Sequence, residues 1–248
     1  MARVRHLRKA PILEALIDFR VTLPKDFDVD QFKALTNAVG ERYPIVEAMH
    51  HYETSVTFQP GRPPDTHIAE QHPGGYAFRS PDRLSVAQFR RDGFTYNRLQ
   101  PYTSWNELHP EVVRLWGLYQ GVARPETCTR ISARYINKID IPVAGGELSD
   151  YLTAPPGIPK GVSDKLTAFL TRVIIQVPKQ DLTGSITQAS QVQLDPQSAA
   201  VILDIEVYRQ SDSGMLHQHV EPTLARLHDM KNTLFFGSLT ADLIKRYE

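Results

Sequence analysis

Apolar and polar residues alternate from the first recognisable element onward. Leu13, Ala15, Ile17, Phe19 and Val21 fall on one side, Glu14, Asp18 and Arg20 on the other. That period of two predicts a half-buried strand, which Pro24 ends. Asp28, with Gln31 three residues on, has the form of a capping box. Phe32, Leu35 and Val39 then keep helical spacing as far as Pro44. YETSVTFQ predicts a second strand, stopped at Pro60, and residues 61–75, GRPPDTHIAEQHPGG, read as a polar loop. GYAFRS is a short strand. LSVAQFRRDGFTYNRLQ reads as a hairpin with Asp92-Gly93 as its two-residue turn. That turn sets Phe89 opposite Tyr96. A helix is expected from about Pro110, over EVVRLWGLYQGV.

The pattern then repeats. RISARYINKIDIP is a strand ending at Pro142, GELSDYL a short helix, and AFLTRVIIQVP a strand ending at Pro178. GSITQASQVQL and AAVILDIEVYRQ predict two more strands, and a long helix begins near Pro222. Pro24 and Pro142 are 118 residues apart, as are Pro60 and Pro178, while Trp116-Gly117 and Phe236-Gly237 are 120 apart. A duplication explains the shared order and offset better than coincidence. The expected architecture is α+β, one compact protein over residues 1–248 with half-units at 10–123 and 127–248. Each half is strand, helix, strands, helix. Together they form a largely antiparallel sheet or barrel-like body backed by helices.

The strand at 130–142 carries its charge asymmetrically. Ile131, Ala133, Tyr135, Asn137, Ile139 and Ile141 share one face, while Arg130, Arg134, Lys138 and Asp140 occupy the other. The first set faces the helices, so Asn137 needs hydrogen-bond partners, in a loop or helix end, and is either a structural amide or a ligand contact. On the charged side Arg20 matches Lys138 at the 118-residue offset, and Asp204 and Glu206 share a face of their strand. Arg20, Arg134, Lys138, Asp204 and Glu206 are therefore the candidate binding residues, with Arg172 and Gln176 beside them. A solvated, ion-paired sheet face has the same composition. In a third reading, Asp204 and Glu206 with Glu14 or Asp18 hold a hard divalent cation for phosphodiester chemistry.

Composition narrows the field. Lysine plus arginine and aspartate plus glutamate are equal at 28 each, which disfavours nucleic acid held mainly through phosphates. No apolar run approaches a membrane span. Glu14 and Asp18 interrupt the apolar residues behind the basic start, so no secretory leader is expected. The single cysteine, Cys128, excludes an internal disulfide, and a cytoplasmic protein follows. His50-His51 and His217-Gln218-His219 lack a third metal ligand, and His228 reads as a packed helix histidine. Neither metal nor cofactor is expected. No Walker A loop, nucleophile elbow or H-E-x-x-H occurs. The 61–75 loop, with Arg62, His67, Glu70 and His72, is a lesser functional candidate.

KAPILEALIDFRV, YTSWNELHPEVVRLWGLY and RISARYINKIDIP together resemble a sporadically distributed family of uncharacterised bacterial proteins of about this length. The resemblance spans most of the chain, with Arg134-Tyr135-Ile136-Asn137 as its most specific run. It implies a bacterial cytoplasmic protein on mobile or accessory loci, with a part in a defence or toxin–antitoxin-like system. It supplies no reaction and no catalytic residues. The sequence therefore leads to a binding or interaction protein whose polar ligand or protein partner lies across the charged sheet face. The alternative is a metal-dependent enzyme on a phosphorylated or nucleic-acid substrate, acting through Asp204 and Glu206. A third is a structural module in which exposed aromatics between Tyr102 and Tyr119 form a homodimer or partner interface.

Overall fold

A computed structural model of the chain describes residues 7–50, 54–57, 65–68, 73–142, 147–157, 159, 161, 166–191, 198–215 and 219–248. The first half runs β1 (Ile12–Thr22), a 3-10 turn at Val29–Ala34, α1 (Leu35–Val39) and β2 (Ile45–His50). It continues through β3 (Thr54–Thr57), β4 (Asp65–Ile68), β5 (Pro73–Arg79), β6 (Ser85–Arg90), β7 (Gly93–Leu99) and α2 (Trp105–Ala123). The second half contains β8 (Thr127–Pro142), a 3-10 turn at Leu148–Asp150, β9 (Leu170–Val177), β10 (Leu182–Gln191), β11 (Ser198–Met215), α3 (Val220–Ser238) and α4 (Ala241–Lys245). Nine strands form one open antiparallel sheet in the order β2-β5-β6-β7-β1-β8-β11-β10-β9. The α+β class with a large antiparallel sheet is thus as the alternation requires, and the sheet does not close into a barrel.

Both halves follow one rule: the first strand lies beside the last, and the remaining strands form a meander outward. β1 and β8 meet antiparallel in the middle, and Leu16 pairs with Arg134, positions separated by the same 118 residues as the proline pairs. The helices cover one face. Ala15, Ile17 and Phe19 of β1 and Ile131, Ala133, Tyr135 and Ile139 of β8 are buried beneath them. In the first half the core is aromatic. The ring of Phe19 stacks on Trp116 at 4.4 Å, and Phe89 lies 5.2 Å from Phe94 and 5.3 Å from Phe78. Aliphatic side chains, among them Leu203, Ile205, Val207, Leu224 and Leu227, fill the second half.

Five local expectations change. The hairpin turns at Arg91 and Asp92, because Arg90 pairs with Gly93 and Phe89 with Phe94, while Tyr96 faces Ala87. Gly93 is needed for another reason: a Cβ there would meet the Phe19 carbonyl oxygen of β1 at 1.9 Å. α2 starts at Trp105, well before Pro110, because Ser104 accepts a hydrogen bond from the Glu107 backbone N–H as N-cap. β2 is a strand the alternation did not disclose. β3 pairs with β4 in a separate ribbon, so part of the supposed 61–75 loop is strand and its last three residues open β5. Arg62, Glu70 and His72 lie outside the described residues, as do His51, His217 and Gln218. The closing helix breaks at the extended Leu239, and Thr240 caps α4.

Candidate functional site

A cavity of about 410 Å³ lies between the start of β1, the first turn of α2, β8 and α3. Its floor is the apolar face of β8, which brings in Tyr135 and Asn137. Its roof is one stripe of α3: His228, Lys231, Asn232 and Phe235 recur at the i, i+3, i+4, i+7 spacing that puts side chains on one helix face. Tyr102, Ser104, Trp105 and Asn106 close one side, and Ile12 of β1 lines another. Both halves of the chain therefore contribute, at the sort of internal junction where ligand sites concentrate.

The polar groups on these walls are unusually placed. Asn137 is 1 % exposed, and its Nδ2 donates to the backbone carbonyls of Tyr135 at 3.1 Å and Leu203 at 2.9 Å. The expected partner in a loop or helix end is replaced by the strand itself and its neighbour β11. With both Nδ2 hydrogens so used, the amide orientation is fixed and Oδ1 has no hydrogen-bond partner among the described residues, which costs on the order of 1–3 kcal/mol for a buried acceptor. Lys231 is 7 % exposed. Its Nζ lies 3.9 Å from the centre of the Tyr135 ring and donates to Asn232 Oδ1 at 2.6 Å. Burial pulls its ammonium down to about 7, since desolvation disfavours the charged form and no carboxylate lines the cavity among the described residues.

Asn232 and His228 complete a short chain. The Asn232 amide turns its Oδ1 to Lys231, and its Nδ2 sits 3.3 Å from His228 Nε2. Burial above all, with Lys231 and His109 nearby, lowers His228 to about 4, so it is neutral near pH 7 and its Nε2 accepts. The imidazole stacks on the Trp105 ring at 4.4 Å. Tyr102 and Tyr135 meet edge-on, their hydroxyls 3.5 Å apart, and burial raises both above the usual tyrosine range. The result is a deep apolar chamber with one titratable amine, one orphaned acceptor and a wall of aromatic rings.

The charged residues singled out in the sequence lie on the opposite face of the sheet. Arg134 holds Asp204 in a fork, Nε to Oδ1 at 2.9 Å and Nη2 to Oδ2 at 2.6 Å, and Arg130 Nη2 reaches Glu206 Oε1 at 2.7 Å. Arg20 belongs to a second cluster, bonded to Asp18 and Asp92, where Arg90 and Thr95 also bind Asp18. Those donors hold the Asp18 carboxyl below its ordinary range against the opposing effect of burial. Lys138 lies 3.4 Å from Asp140. Arg20 sits opposite Arg130, so at the strand rise of about 3.3 Å per residue Lys138 is roughly 26 Å along β8 from it. Arg134, Asp204 and Glu206 come together; Arg20 and Lys138 flank them at opposite ends.

These pairs are partly solvated, and their strength can be checked. A double-mutant cycle on Arg134→Ala and Asp204→Ala is expected to give a coupling of about 0.5–1 kcal/mol, shrinking in molar salt. Urea unfolding of the four proteins measures it, and a coupling above twice that range marks the pair as more than a surface bridge. Among the described residues no group of three His, Cys, Asp or Glu side chains is placed to hold a metal ion. Cys128 is buried, and burial pushes its thiol up to about 12, far from the thiolate a nucleophile needs. Trp116 and Tyr119 point into the core, so the aromatic stretch of α2 does not offer those rings to a partner.

Lys231 is not singled out by the alternation or charge pattern of the sequence. Its signal was its position, on the apolar stripe set by Leu224, Leu227 and Phe235 rather than on the solvent side. No protein-family model matches the chain, and no curated protein matches it. Among the described residues no helix is long and apolar enough to cross a membrane.

Proposed function

We propose that the protein binds a small molecule, with an apolar body and a polar head, in the chamber between β8, α2 and α3. The observation that carries this reading is that one cavity is lined both by Asn137, whose buried Oδ1 has no donor among the described residues, and by Lys231, a buried amine with no carboxylate on the described walls. A fold tolerates neither without a return elsewhere. A ligand offering a donor to one and an acceptor to the other satisfies both. The volume falls within the range of small-molecule sites, roughly 300–1,000 Å³. The shared strand order of the two halves supports an origin by duplication, with the site at the seam.

The sheet face bearing Arg20, Arg134, Lys138, Asp204 and Glu206 is the weaker candidate. Its arginines already hold carboxylates at hydrogen-bond distance, so a polar partner or a cation there must first displace them. In the cavity Asn137 Oδ1 has no partner to displace among the described residues, and Lys231 Nζ is engaged by a neutral amide, Asn232, rather than by a carboxylate.

The test is a fragment screen by ligand-observed NMR on the full chain, with hits placed by crystallography. Hits are expected in the cavity and are expected to lose at least tenfold in affinity in Ala10→Trp, which introduces an indole at a partly buried lining position. Fragments that bind elsewhere, or equally well to Ala10→Trp, overturn the proposal.

A further inference from the structure

Which head group the chamber takes follows from the charges around it. Resting on the binding reading above, we propose that the ligand is an apolar carboxylic acid with an O–H or N–H donor beside its carboxylate. The carboxylate is held by Lys231 and the first turn of α2, and the donor by Asn137 Oδ1.

Three observations converge on this class. The first is the sign of the site. Lys231 comes from α3, and Ser104, Trp105 and Asn106 of α2's first turn line the same space. The early N–H groups of a helix have no intrahelical acceptor and carry the positive end of its dipole. No described lining residue is acidic, and Lys231 meets the neutral amide of Asn232 rather than a carboxylate. The second is valence. Lys231 is the only lysine or arginine among the described lining residues, and His228 is held neutral. One cation suits a monoanion; a phosphate is ordinarily met by arginine forks or several donors. The third is Asn137. An acceptor with its amide hydrogens already committed to Tyr135 and Leu203 calls for a hydrogen from the ligand, and a carboxylate alone has none to give. Trp105, Phe235 and Phe236 supply the apolar wall for the body.

The groups facing Lys231 make binding proton-linked. From α3 these are His228 and Asn232, from β8 Tyr135 and Asn137, and from the α2 approach Tyr102. Neither tyrosine is ionised near pH 7, because burial raises both. Lys231 is thus the group that changes charge. Below pH 7 its ammonium is ready for the acid; above it, the arriving anion must draw a proton from solvent. Affinity should be level from pH 5.5 to 6.5 and then fall towards tenfold per pH unit.

Calorimetry on the full chain tests this with 3-phenyllactate, its primary amide and 3-phenylpropionate, in phosphate and in Tris at pH 6 and 8. The acid is expected to bind at least tenfold more tightly than the amide at pH 6. Phenylpropionate, which lacks the hydroxyl, should bind several-fold less tightly than phenyllactate. The two buffers should report uptake approaching one proton per acid at pH 8 and close to none at pH 6. Lys231→Met, with folding checked by circular dichroism, should erase both the acid preference and the proton uptake. Amide binding equal to or tighter than acid binding overturns the carboxylate assignment. So does an acid preference that survives in Lys231→Met. In either case the cavity reading stands if Ala10→Trp still blocks the probe. Binding of none of the three at millimolar concentration overturns both.

Discussion

Phe89→Ala is expected to lower the free energy of unfolding by about 3–5 kcal/mol, the range for removing a fully buried phenylalanine. The ring lies in β6, inside the sheet, with no solvent exposure. Phe32, Phe78, Phe94 and Tyr119 surround it at centroid distances of 5.9, 5.3, 5.2 and 6.3 Å. Those neighbours belong to a helical turn, two strands and a long helix, each held by its own packing. They cannot all move inward, so most of the vacated space persists as a cavity. Edge-to-face contact with Phe78 adds to the loss. Chemical denaturation measures it as a lower midpoint with an unchanged slope. Leu170→Ala, on the edge strand β9 where the leucine is 74 % exposed, should stay within about 0.5 kcal/mol. Phe89 does not line the candidate chamber, so the variant should bind cavity ligands normally wherever it remains folded.

How much of this was legible depended on which side of an element carried the information. β1 and β8 sit in the middle of the sheet with helices on one face, so burial alternates residue by residue and the sequence shows it. β2 is an edge strand whose residues are at best half-buried, with Val46 exposed. Without a buried face, selection for alternation weakens and the strand hides behind Pro44. The hairpin turn falls one residue earlier than expected because Asp92-Gly93 is a strong turn pair only in isolation. Gly93 is instead fixed by the approach of β1, a tertiary contact that local rules do not contain. The start of α2 was legible in Ser104 and Glu107, and Pro110 drew the boundary away from them.

The candidate site teaches a related lesson. Charges on a polar strand face are inexpensive, so Arg134, Lys138, Asp204 and Glu206 say little about purpose. Polar groups on an apolar face are costly. Asn137 stood out for that reason in the sequence. Lys231 met the same criterion on the α3 stripe, and it becomes conspicuous only when Leu224, Leu227 and Phe235 are read as one buried row. That the two share a chamber is a product of the fold: the sheet order sets β8 beneath α3, and no spacing in the sequence encodes it.

Lys231→Met should therefore stabilise the protein, and the gain should depend on pH in a particular direction. In the folded chain burial holds the ammonium at about 7, against an ordinary value of 10.5. Between those values the unfolded chain binds a proton that the folded chain does not, so stability rises with pH by about 1.4 kcal/mol per unit. Below pH 7 both states are protonated and the penalty is complete, on the order of 3–5 kcal/mol. Methionine fills much of the same volume and has no charge to desolvate. Its advantage should be greatest at pH 6, decline through pH 8 and 9, and vanish near pH 10, where wild type keeps a neutral amine bonded to Asn232. Urea unfolding of both proteins at pH 6, 8 and 9.5 gives the difference directly, with the other titrating groups cancelling. A pH-independent gain would mean that packing, not charge burial, separates the two. Saturating 3-phenyllactate at pH 6 should then raise the wild-type midpoint and leave that of Lys231→Met nearly unmoved. Below pH 7, where the ammonium cannot shed its proton, a bound carboxylate is on the proposed reading what offsets the loss.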